Sequence, residues 1–334
     1  MTSIAIDPQL LALPPLAIAA GVDLYLTLLL LGAAPTLGLG PDPLPGALSD
    51  LDSASVLITV GLFYLLEFTA ERFPQSAIVW NAFHAIIRPV SGMLLAILLL
   101  DGQPPTVVVG GALVAALMTS AAHGVRSGAA VLRWLGAGLR VPRLLITLVE
   151  DAVVIGVVLL TLYAPSRAVI AAGLAAVVVS PLALSLLRAF EYAVLLIVGR
   201  IFVTFRQRRW RSFDELPAWA SASLEGDDVF APGGALRGTP AGAYKLPGGP
   251  RFAIGWVVIR GGAPVFVFRS RRRTGRIDLG SLQARSIAEA DLFRRVDLAG
   301  ESGRPFLLFG LGGPGAESLR AEFDVPAGPT ATTA

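Results

Sequence analysis

Long apolar stretches, separated by short polar or proline-containing connections, make up the chain from residue 10 to residue 187. Most of these stretches approach the roughly 20 residues that a helix needs to cross the hydrocarbon core of a bilayer. Proline and glycine at their edges mark where helices begin and end. The pattern predicts a mainly α-helical polytopic membrane domain with about six transmembrane helices, over residues 10–37, 54–72, 76–100, 106–122, 144–163 and 168–187.

Two of the predicted spans carry interruptions. The pair Pro14–Pro15, Gly21 and Asp23 interrupt the first span, so we expect its helix to be broken. In the third span, residues 76–88 mix polar and apolar side chains, and Pro89 then starts an apolar segment too short to cross a bilayer alone. This third span is predicted either as one kinked helix or as an interfacial helix that leads into a half-span.

The pattern changes after residue 187, where arginine becomes frequent and the long apolar stretches end. A membrane domain is therefore predicted for residues 1–190, a basic helical extension for 191–215 and a flexible Gly-, Ala- and Pro-rich linker for 216–250. Short apolar runs within residues 251–325 are typical of a small antiparallel sheet or barrel. The tail, residues 326–334, is expected to be disordered. The apolar runs of the β-rich domain are residues 252–259, 264–268, 292–298 and 305–311.

Composition supports a membrane protein and excludes any structure or chemistry that depends on cysteine. Hydrophobic residues make up 54% of the chain and charged residues only 15%, whereas a soluble domain carries about 25% charged residues. The surplus of apolar side chains has to face lipid. Because the chain has no cysteine, a disulfide framework and thiolate chemistry are both excluded.

Arginine placement predicts the orientation of the spans. With six spans, Arg72, Arg88, the arginines at 126–143 and those beyond 187 share one side. Asp101, the acidic connection near Asp50 and, as the one exception among the arginines, Arg167 lie on the other side. Because arginine-rich connections face the cytoplasm, we expect a multi-pass protein with both termini in the cytoplasm. Three spans followed by three of opposite orientation also permit an inverted repeat, although the acidic residues of the two halves do not align.

Four phrases of the membrane domain carry a family resemblance: residues 21–27 (GVDLYLT), 66–74 (LEFTAERFP), 80–89 (WNAFHAIIRP) and the pair Glu150–Asp151. They resemble the domain of unknown function 4126 family, which consists of bacterial multi-span membrane proteins without an established activity. The resemblance covers about residues 10–187. It implies location in a bacterial cytoplasmic (inner) membrane and implies no particular substrate.

Ionisable residues at membrane depth are the candidates for a functional site. A charged side chain at the bilayer centre costs roughly 3 kcal/mol, so such groups have to face inward, take up a proton or pair with arginine. One polar cavity open to the cytoplasm would account for all the acidic residues. The candidate substrate or ion site comprises Asp23, Glu67, Glu71, Glu150 and Asp151. The supporting polar residues are Tyr25, Asn81, His84, Arg88, His123 and Arg126. The structural alternative is that these acids pair with arginine and lock the packing of the helices.

Other motifs carry little chemistry. The two histidines lack an HExxH-type spacing, and the glycine-rich residues 310–315 lack a P-loop lysine, so we predict no metal, no cofactor and no enzyme activity. Arg126, Arg133 and Arg140 recur every seven residues and predict a helix along the membrane surface. These arginines and the basic turn at 269–276 either bind anionic lipid headgroups or only carry cytoplasmic loop charge; nucleic acid is not expected.

Two functional hypotheses follow from the sequence. The first is a transporter or permease for a small or lipid-linked substrate, with proton coupling as an option and an acidic site that faces the cytoplasm. The alternative is a non-transporting membrane anchor or scaffold, whose cytoplasmic β-domain binds a partner or the inner leaflet. The sequence gives no prediction of the oligomeric state.

Overall fold

The computed structural model of the chain contains a helical unit, Met1–Leu187, and a unit dominated by a β-sheet, Arg188–Ala334. It describes residues 7–41, 43–136, 141–202, 210–224, 236–260, 263–270, 273–290, 292–300, 304–325 and 331–332. Arg140, Arg271 and Arg272 lie outside the described residues, as does most of the predicted disordered tail.

Seven helices form the helical unit in its described part, and the last of them continues into the second unit. Their bounds are α1 Pro8–Val22, α2 Leu24–Ala33, α3 Ala54–Ala70, α4 Pro74–Leu99, α5 Pro105–Trp134, α6 Arg143–Tyr163 and α7 Pro165–Phe202. The four helices α4–α7 are long and apolar enough to cross a membrane, whereas α1, α2 and α3 are shorter apolar helices. A helical membrane domain is thereby confirmed; six spans and a repeat of three plus three are not.

The first predicted span is broken, as expected, and the break lies at Asp23. Pro14 and Pro15 are accommodated inside α1, while Asp23 adopts an extended backbone conformation, with φ −138° and ψ 105°. The two helices contain 15 and 10 residues. At 1.5 Å per residue each is shorter than the roughly 30 Å thickness of the hydrocarbon core.

The N-terminus of α1 and the C-terminus of α2 lie at the same end of the bundle. The Asp7 carboxylate, which caps α1, accepts a hydrogen bond from Gln103 Nε2 at 2.7 Å, in the α4–α5 connection. At the C-terminal end of α2, a Cβ on Gly32 would collide with the carbonyl oxygen of Leu51, in the 3₁₀ turn Leu48–Asp52. That turn lies beside the end of α4, because Ala47 N donates to Leu98 O at 2.7 Å. We call this the Gln103 end.

The opposite end of the bundle holds the short connections from α3 to α4 and from α5 to α6, and we call it the Phe73 end. The two short helices therefore form a hairpin that enters from the Gln103 end, turns at Asp23 and returns. Apolar side chains of the hairpin pack between α4, α5 and α6 in the core of the unit. Irregular backbone at such depth is tolerated where protein surrounds it.

Two helices differ in extent from the sequence-based prediction. The third predicted span is one helix, α4, which continues through Pro89. The prediction of a separate surface helix for Arg126 and Arg133 is wrong, because α5 runs without interruption to Trp134 and contains both residues. The alanines that follow residue 120 favour a helix, and no proline interrupts the chain before residue 142.

Nine strands make up one sheet among the described residues of the second unit. They are β1 Arg211–Ser212, β2 Arg237–Tyr244, β3 Phe252–Arg260, β4 Ala263–Ser270, β5 Arg273–Asp278, β6 Ala284–Glu289, β7 Phe293–Leu298, β8 Phe306–Gly310 and β9 Ala331–Thr332. The order is β5-β4-β3-β2-β8-β7-β6-β9, with β1 paired to β2. All pairs are antiparallel except β6 with β9.

An antiparallel C-terminal sheet is confirmed, but it includes more of the chain than expected. The strand β2 lies inside the predicted linker, residues 216–250, and β9 lies inside the predicted disordered tail. Most of β2 is buried because β3 and β8 flank it and Tyr192 of α7 packs against Gly242. Its small residues therefore serve close packing, although their composition is typical of a linker.

The sheet buries apolar side chains on both faces. On one face Val257 and Phe266 pack with Leu319 of the helix α9, Ala316–Phe323. On the other face Trp256 and Val267 pack under residues 213–224, which contain the short helix α8, Ala218–Ala222. The hydroxyl group of Tyr192, in the C-terminal part of α7, donates a hydrogen bond to Leu308 O of β8 at 2.7 Å.

We predict that Gly21→Ala destabilises the helical unit, because α1 and α5 touch at this glycine. A Cβ there would lie 2.6 Å from both Ala122 Cβ and Thr119 O, and overpacking costs about 1–3 kcal/mol. The matched control is Gly110→Ala in α5, where a Cβ would meet nothing within 4 Å and helix propensity favours alanine. Denaturant titration in detergent micelles compares their free energies of unfolding. Equal stability of the two variants would contradict the close α1–α5 contact.

Candidate functional site

Charged side chains from several helices meet in the otherwise apolar interior of the helical unit. Glu67 lies in the last turn of α3 and Glu71 is its C-cap residue, one turn further on, so that both side chains share one face. Arg88 from the middle of α4 and Arg126 from α5 approach this face, and α6 contributes Glu150. We call this group, together with Asp23, Asp151 and Arg133, the polar cluster.

Arg88 is the most deeply buried member of the polar cluster, with no exposed surface. Its Nη2 donates to Glu67 Oε1 at 2.5 Å. Its Nη1 donates to the carbonyl oxygens of Ala20 and Gly21, at 2.9 Å and 2.7 Å. These carbonyls belong to the last turn of α1, where backbone acceptors lack helical partners and the helix dipole is negative. Arg88 therefore stabilises the end of a helix that stops inside the bundle.

Asp23 stabilises the start of the next helix in the same way with the opposite charge. Its carboxylate accepts a hydrogen bond from Leu26 N at 2.9 Å, which is an N-cap interaction at the positive end of α2. Thr27 Oγ1 donates to the carbonyl oxygen of Asp23 at 2.6 Å. The tip of the hairpin is thus held by an acid at one helix end and an arginine at the other.

Arg126 joins three carboxylates at once. Its Nη2 donates to Glu71 Oε2 at 2.6 Å and its Nε to Glu150 Oε2 at 2.8 Å. Its Nη1 lies 3.7 Å from Glu67 Oε1, the oxygen that also binds Arg88. Arg133, two turns further along α5, lies 4.0 Å from Glu150 Oε1. The ion pairs therefore connect α3, α4, α5 and α6.

Asp151 differs from its neighbour Glu150. It is buried and accepts a hydrogen bond from the hydroxyl group of Tyr64 at 3.0 Å. Successive residues of a helix point about 100° apart, which accounts for the separate partners of the two acids. Tyr64 was not among the sequence candidates. Its spacing of three residues from Glu67, on the same helix face, was the signal that could have identified it.

The two histidines and Asn81 connect helices around the polar cluster. A carbonyl oxygen only accepts, so His84 Nδ1 donates to Trp80 O at 2.9 Å, and Nε2 accepts from Tyr25 OH at 3.0 Å. His123 Nε2 donates to the backbone carbonyl of Asn81 at 2.9 Å. In the part of the chain that the structure describes, no group of three or more His, Asp or Glu side chains is arranged to hold a metal ion.

A small open pocket leads from the Phe73 end to the polar cluster. Its volume, counted as space for the centres of water molecules, is about 30 Å³. A single water needs about 10–15 Å³ by this measure, so the pocket accommodates about two. The polar side chains that line it are Glu71, Asn81, Arg126, Ser127, Arg133, Thr147 and Glu150.

Toward the Gln103 end, by contrast, the interior is apolar. Leu13 and Leu16 of α1 and Leu95 and Leu99 of α4 are nearly or fully buried there. These side chains belong to one continuous core with residues of α2, α5 and α6. The members of the polar cluster that line the pocket are therefore accessible from the Phe73 end, and packed apolar side chains lie toward the Gln103 end.

All five acids predicted from sequence lie in or beside one cluster. Asp23 is within electrostatic range of Arg88 and Arg126, and Asp151 is within range of Asp23 and Arg126. The sequence-based reasoning missed the carbonyl groups of Ala20 and Gly21. It also left open whether Arg126 binds lipid headgroups or acids, and the guanidinium groups of Arg126 and Arg88 both contact acids.

Comparison with known proteins identifies a family. The family model described as Domain of unknown function (DUF4126) matches residues 10–188, which is more than half of the chain. This match confirms the resemblance noted in the membrane domain. No curated protein and no solved structure matches the chain.

We predict that Glu67 and Arg88 are strongly coupled in stability. Glu67→Met or Arg88→Met alone leaves a buried charge without its partner, and each should lower the free energy of unfolding by about 3–5 kcal/mol. The double variant Glu67→Met/Arg88→Met should lose less free energy of unfolding than the two single variants together, because no unpaired charge remains from this pair. Denaturant titration in micelles measures all three, with Arg167→Met, at an exposed position, as the control. Strictly additive losses would contradict the coupling.

Proposed function

We propose that this chain, which belongs to the DUF4126 family, is an integral membrane transporter or permease for a small solute, with the polar cluster as its binding and coupling site. The observation that carries the proposal is the helix break at Asp23, where the ends of α1 and α2 meet buried charges. Broken helices whose ends face charged groups near the bilayer midplane are a recurrent feature of transporter sites.

One-sided access supports the same proposal. Transport by alternating access needs a site that opens to one side while packing closes the other side. The pocket at the Phe73 end and the apolar core at the Gln103 end, around Leu16 and Leu95, have this arrangement. A purely structural ion-pair network needs neither an open approach nor a broken helix.

Charge balance supports proton or cation coupling. In the polar cluster, the five acids Asp23, Glu67, Glu71, Glu150 and Asp151 stand against the three guanidinium groups of Arg88, Arg126 and Arg133. Among the described side chains this leaves a formal excess of two negative charges. Keeping such charge at membrane depth is costly, so protons or cations are expected to neutralise it.

We further propose five membrane crossings, by α3 to α7, with the α1–α2 hairpin re-entrant. At 17 residues α3 is at the lower limit of a span. It runs from the Gln103 end to the Phe73 end, and α4 to α7 alternate after it. The Phe73 end carries Arg72 and Arg133, so we assign this end to the cytoplasmic side of the inner membrane. The N-terminus then lies on the outer side, unlike in the six-span scheme.

The alternative function, a membrane anchor or scaffold, would leave the polar cluster as a structural lock. It accounts for the close pairing of Arg88 and Arg126 with acids. It gives no role to the pocket. A flux assay separates the two functions.

We predict that sealed proteoliposomes containing the protein conduct protons or small cations, and that Glu67→Gln reduces the flux at least tenfold. The variant removes the carboxylate shared by Arg88 and Arg126 while keeping its shape. Internal pH and a panel of monovalent cations are monitored under imposed gradients.

The matched control for this assay is Asp50→Asn, an exposed acid in the connection before α3, which should conduct like the wild type. Glu71→Gln, at the pocket, provides a second variant in case Glu67→Gln unfolds, and unfolding is checked by gel filtration. Equal flux through folded Glu67→Gln and wild type would contradict a role for the cluster. Absence of flux in the wild type would favour the anchor.

A further inference from the structure

We infer that the pocket at the Phe73 end binds a small monovalent cation, of the size of sodium, potassium or ammonium, and that the side-chain oxygen of Asn81 is one of its ligands. This inference deepens the proposed transporter. Passage of the ion across the membrane rests on the transporter proposal, whereas binding of the ion in the pocket does not.

The first observation is an acceptor without a donor. Asn81 is 6% exposed, it lines the pocket, and its Oδ1 has no hydrogen-bond partner. A buried amide oxygen left unpaired costs about 1–3 kcal/mol. The backbone carbonyl of Asn81 is already engaged by His123, which fixes this turn of α4 and keeps the side chain at the pocket. An occupant of the pocket that accepts electron pairs or donates hydrogen bonds would satisfy this oxygen.

The second observation is an unpaired carboxylate oxygen of Glu67, in the polar cluster behind the pocket. Glu67 Oε2 is buried and has no hydrogen-bond partner, while Oε1 of the same carboxylate binds Arg88 and lies near Arg126. Arg126 lines the pocket and also lies beside the Glu67 carboxylate, which does not line the pocket itself. Two buried oxygens, one at the pocket wall and one in the polar cluster behind Arg126, are therefore left without a donor.

The charges around the pocket select a cation over an anion. Arg126 donates through Nε to Glu150 and through Nη2 to Glu71, and its Nη1 lies 3.7 Å from Glu67 Oε1, so carboxylates already surround this guanidinium group. Arg133 is likewise directed toward Glu150. The acids of the polar cluster outnumber its guanidinium groups, so a positive ligand reduces the formal charge imbalance and a negative ligand increases it.

The size of the pocket and its ligand types limit the cation. Space for about two water-sized species admits a sodium or potassium ion with one water, or an ammonium ion, but no larger organic cation. Amide, hydroxyl and carboxylate oxygens from Asn81, Ser127 and Glu71 suit hard ions rather than soft metals. Since the carboxylates are shared with Arg126, the site lacks the several free carboxylates that a tightly held divalent ion requires.

The test is cation-dependent thermal stability of the purified full-length chain in detergent. Sodium, potassium and ammonium chloride are titrated at constant ionic strength, with the bulky N-methyl-D-glucamine as the replacing cation. We expect at least one small cation to raise Tm saturably in the wild type. Asn81→Leu should raise the half-saturating concentration at least tenfold. Asn81→Asp should lower it, because a carboxylate keeps the oxygen and adds charge.

Gln103→Ala is the matched control, since it removes a side-chain amide at the opposite end of the bundle and should leave the half-saturating concentration unchanged. If none of the three small cations raises Tm above its value in N-methyl-D-glucamine, or if wild type and Asn81→Leu reach half-saturation at the same concentration, the inference is overturned. If Asn81→Leu does not fold, an unchanged concentration in Asn81→Asp overturns it instead. The assay needs no gradient, so failure of transport leaves its result interpretable.

Discussion

The contact between Arg88 and the carbonyl oxygens of Ala20 and Gly21 is the interaction on which the helical unit depends. A helix that ends inside an apolar bundle leaves backbone acceptors that neither lipid nor water can satisfy. Arg88 satisfies them, and Glu67 then balances the charge of the arginine. With this end stabilised, the chain is free to turn at Asp23 and return to the end from which it entered. The hairpin, the polar cluster and the approach from one side all follow from that reversal.

The same interaction links structure to the proposed chemistry. Glu67 shares one carboxylate oxygen between Arg88, which holds the hairpin, and Arg126, which lines the pocket. A change of charge at the pocket therefore alters the groups that hold the broken helix. A cation that competes with Arg126 for Glu71 or Glu150 would change the contact between Arg126 and Glu67. Because Glu67 also binds Arg88, the change would reach the tip of the hairpin. This chain of contacts is a physical route from ion binding to a change in helix position.

The sequence predicted the parts of this arrangement that local chemistry determines. The cost of burying acids pointed to Glu67, Glu150 and Asp23. The break in the first helix was predicted from Pro14–Pro15, Gly21 and Asp23, and it lies at Asp23, whereas the two prolines are accommodated inside α1. The return of α2 was not predictable in this way, because it depends on an arginine 67 residues further along the chain. Similarly, β2 reads as a linker by composition, and only β3, β8 and Tyr192 make it a buried strand. Arg126 was assigned to a surface helix because regular spacing alone does not distinguish one long helix from two.

The re-entrant hairpin is the claim that most needs a direct measurement. The chain has no cysteine, so single cysteines report accessibility without a background. Pro8→Cys, at the start of α1, is compared with Asp101→Cys at the Gln103 end and Arg72→Cys at the Phe73 end, three exposed positions. An impermeant thiol reagent is applied to right-side-out and to inverted vesicles. The re-entrant arrangement predicts that Pro8→Cys is labelled from the same side as Asp101→Cys. Labelling from the side of Arg72→Cys would mean that the first segment crosses the membrane, and would contradict the hairpin.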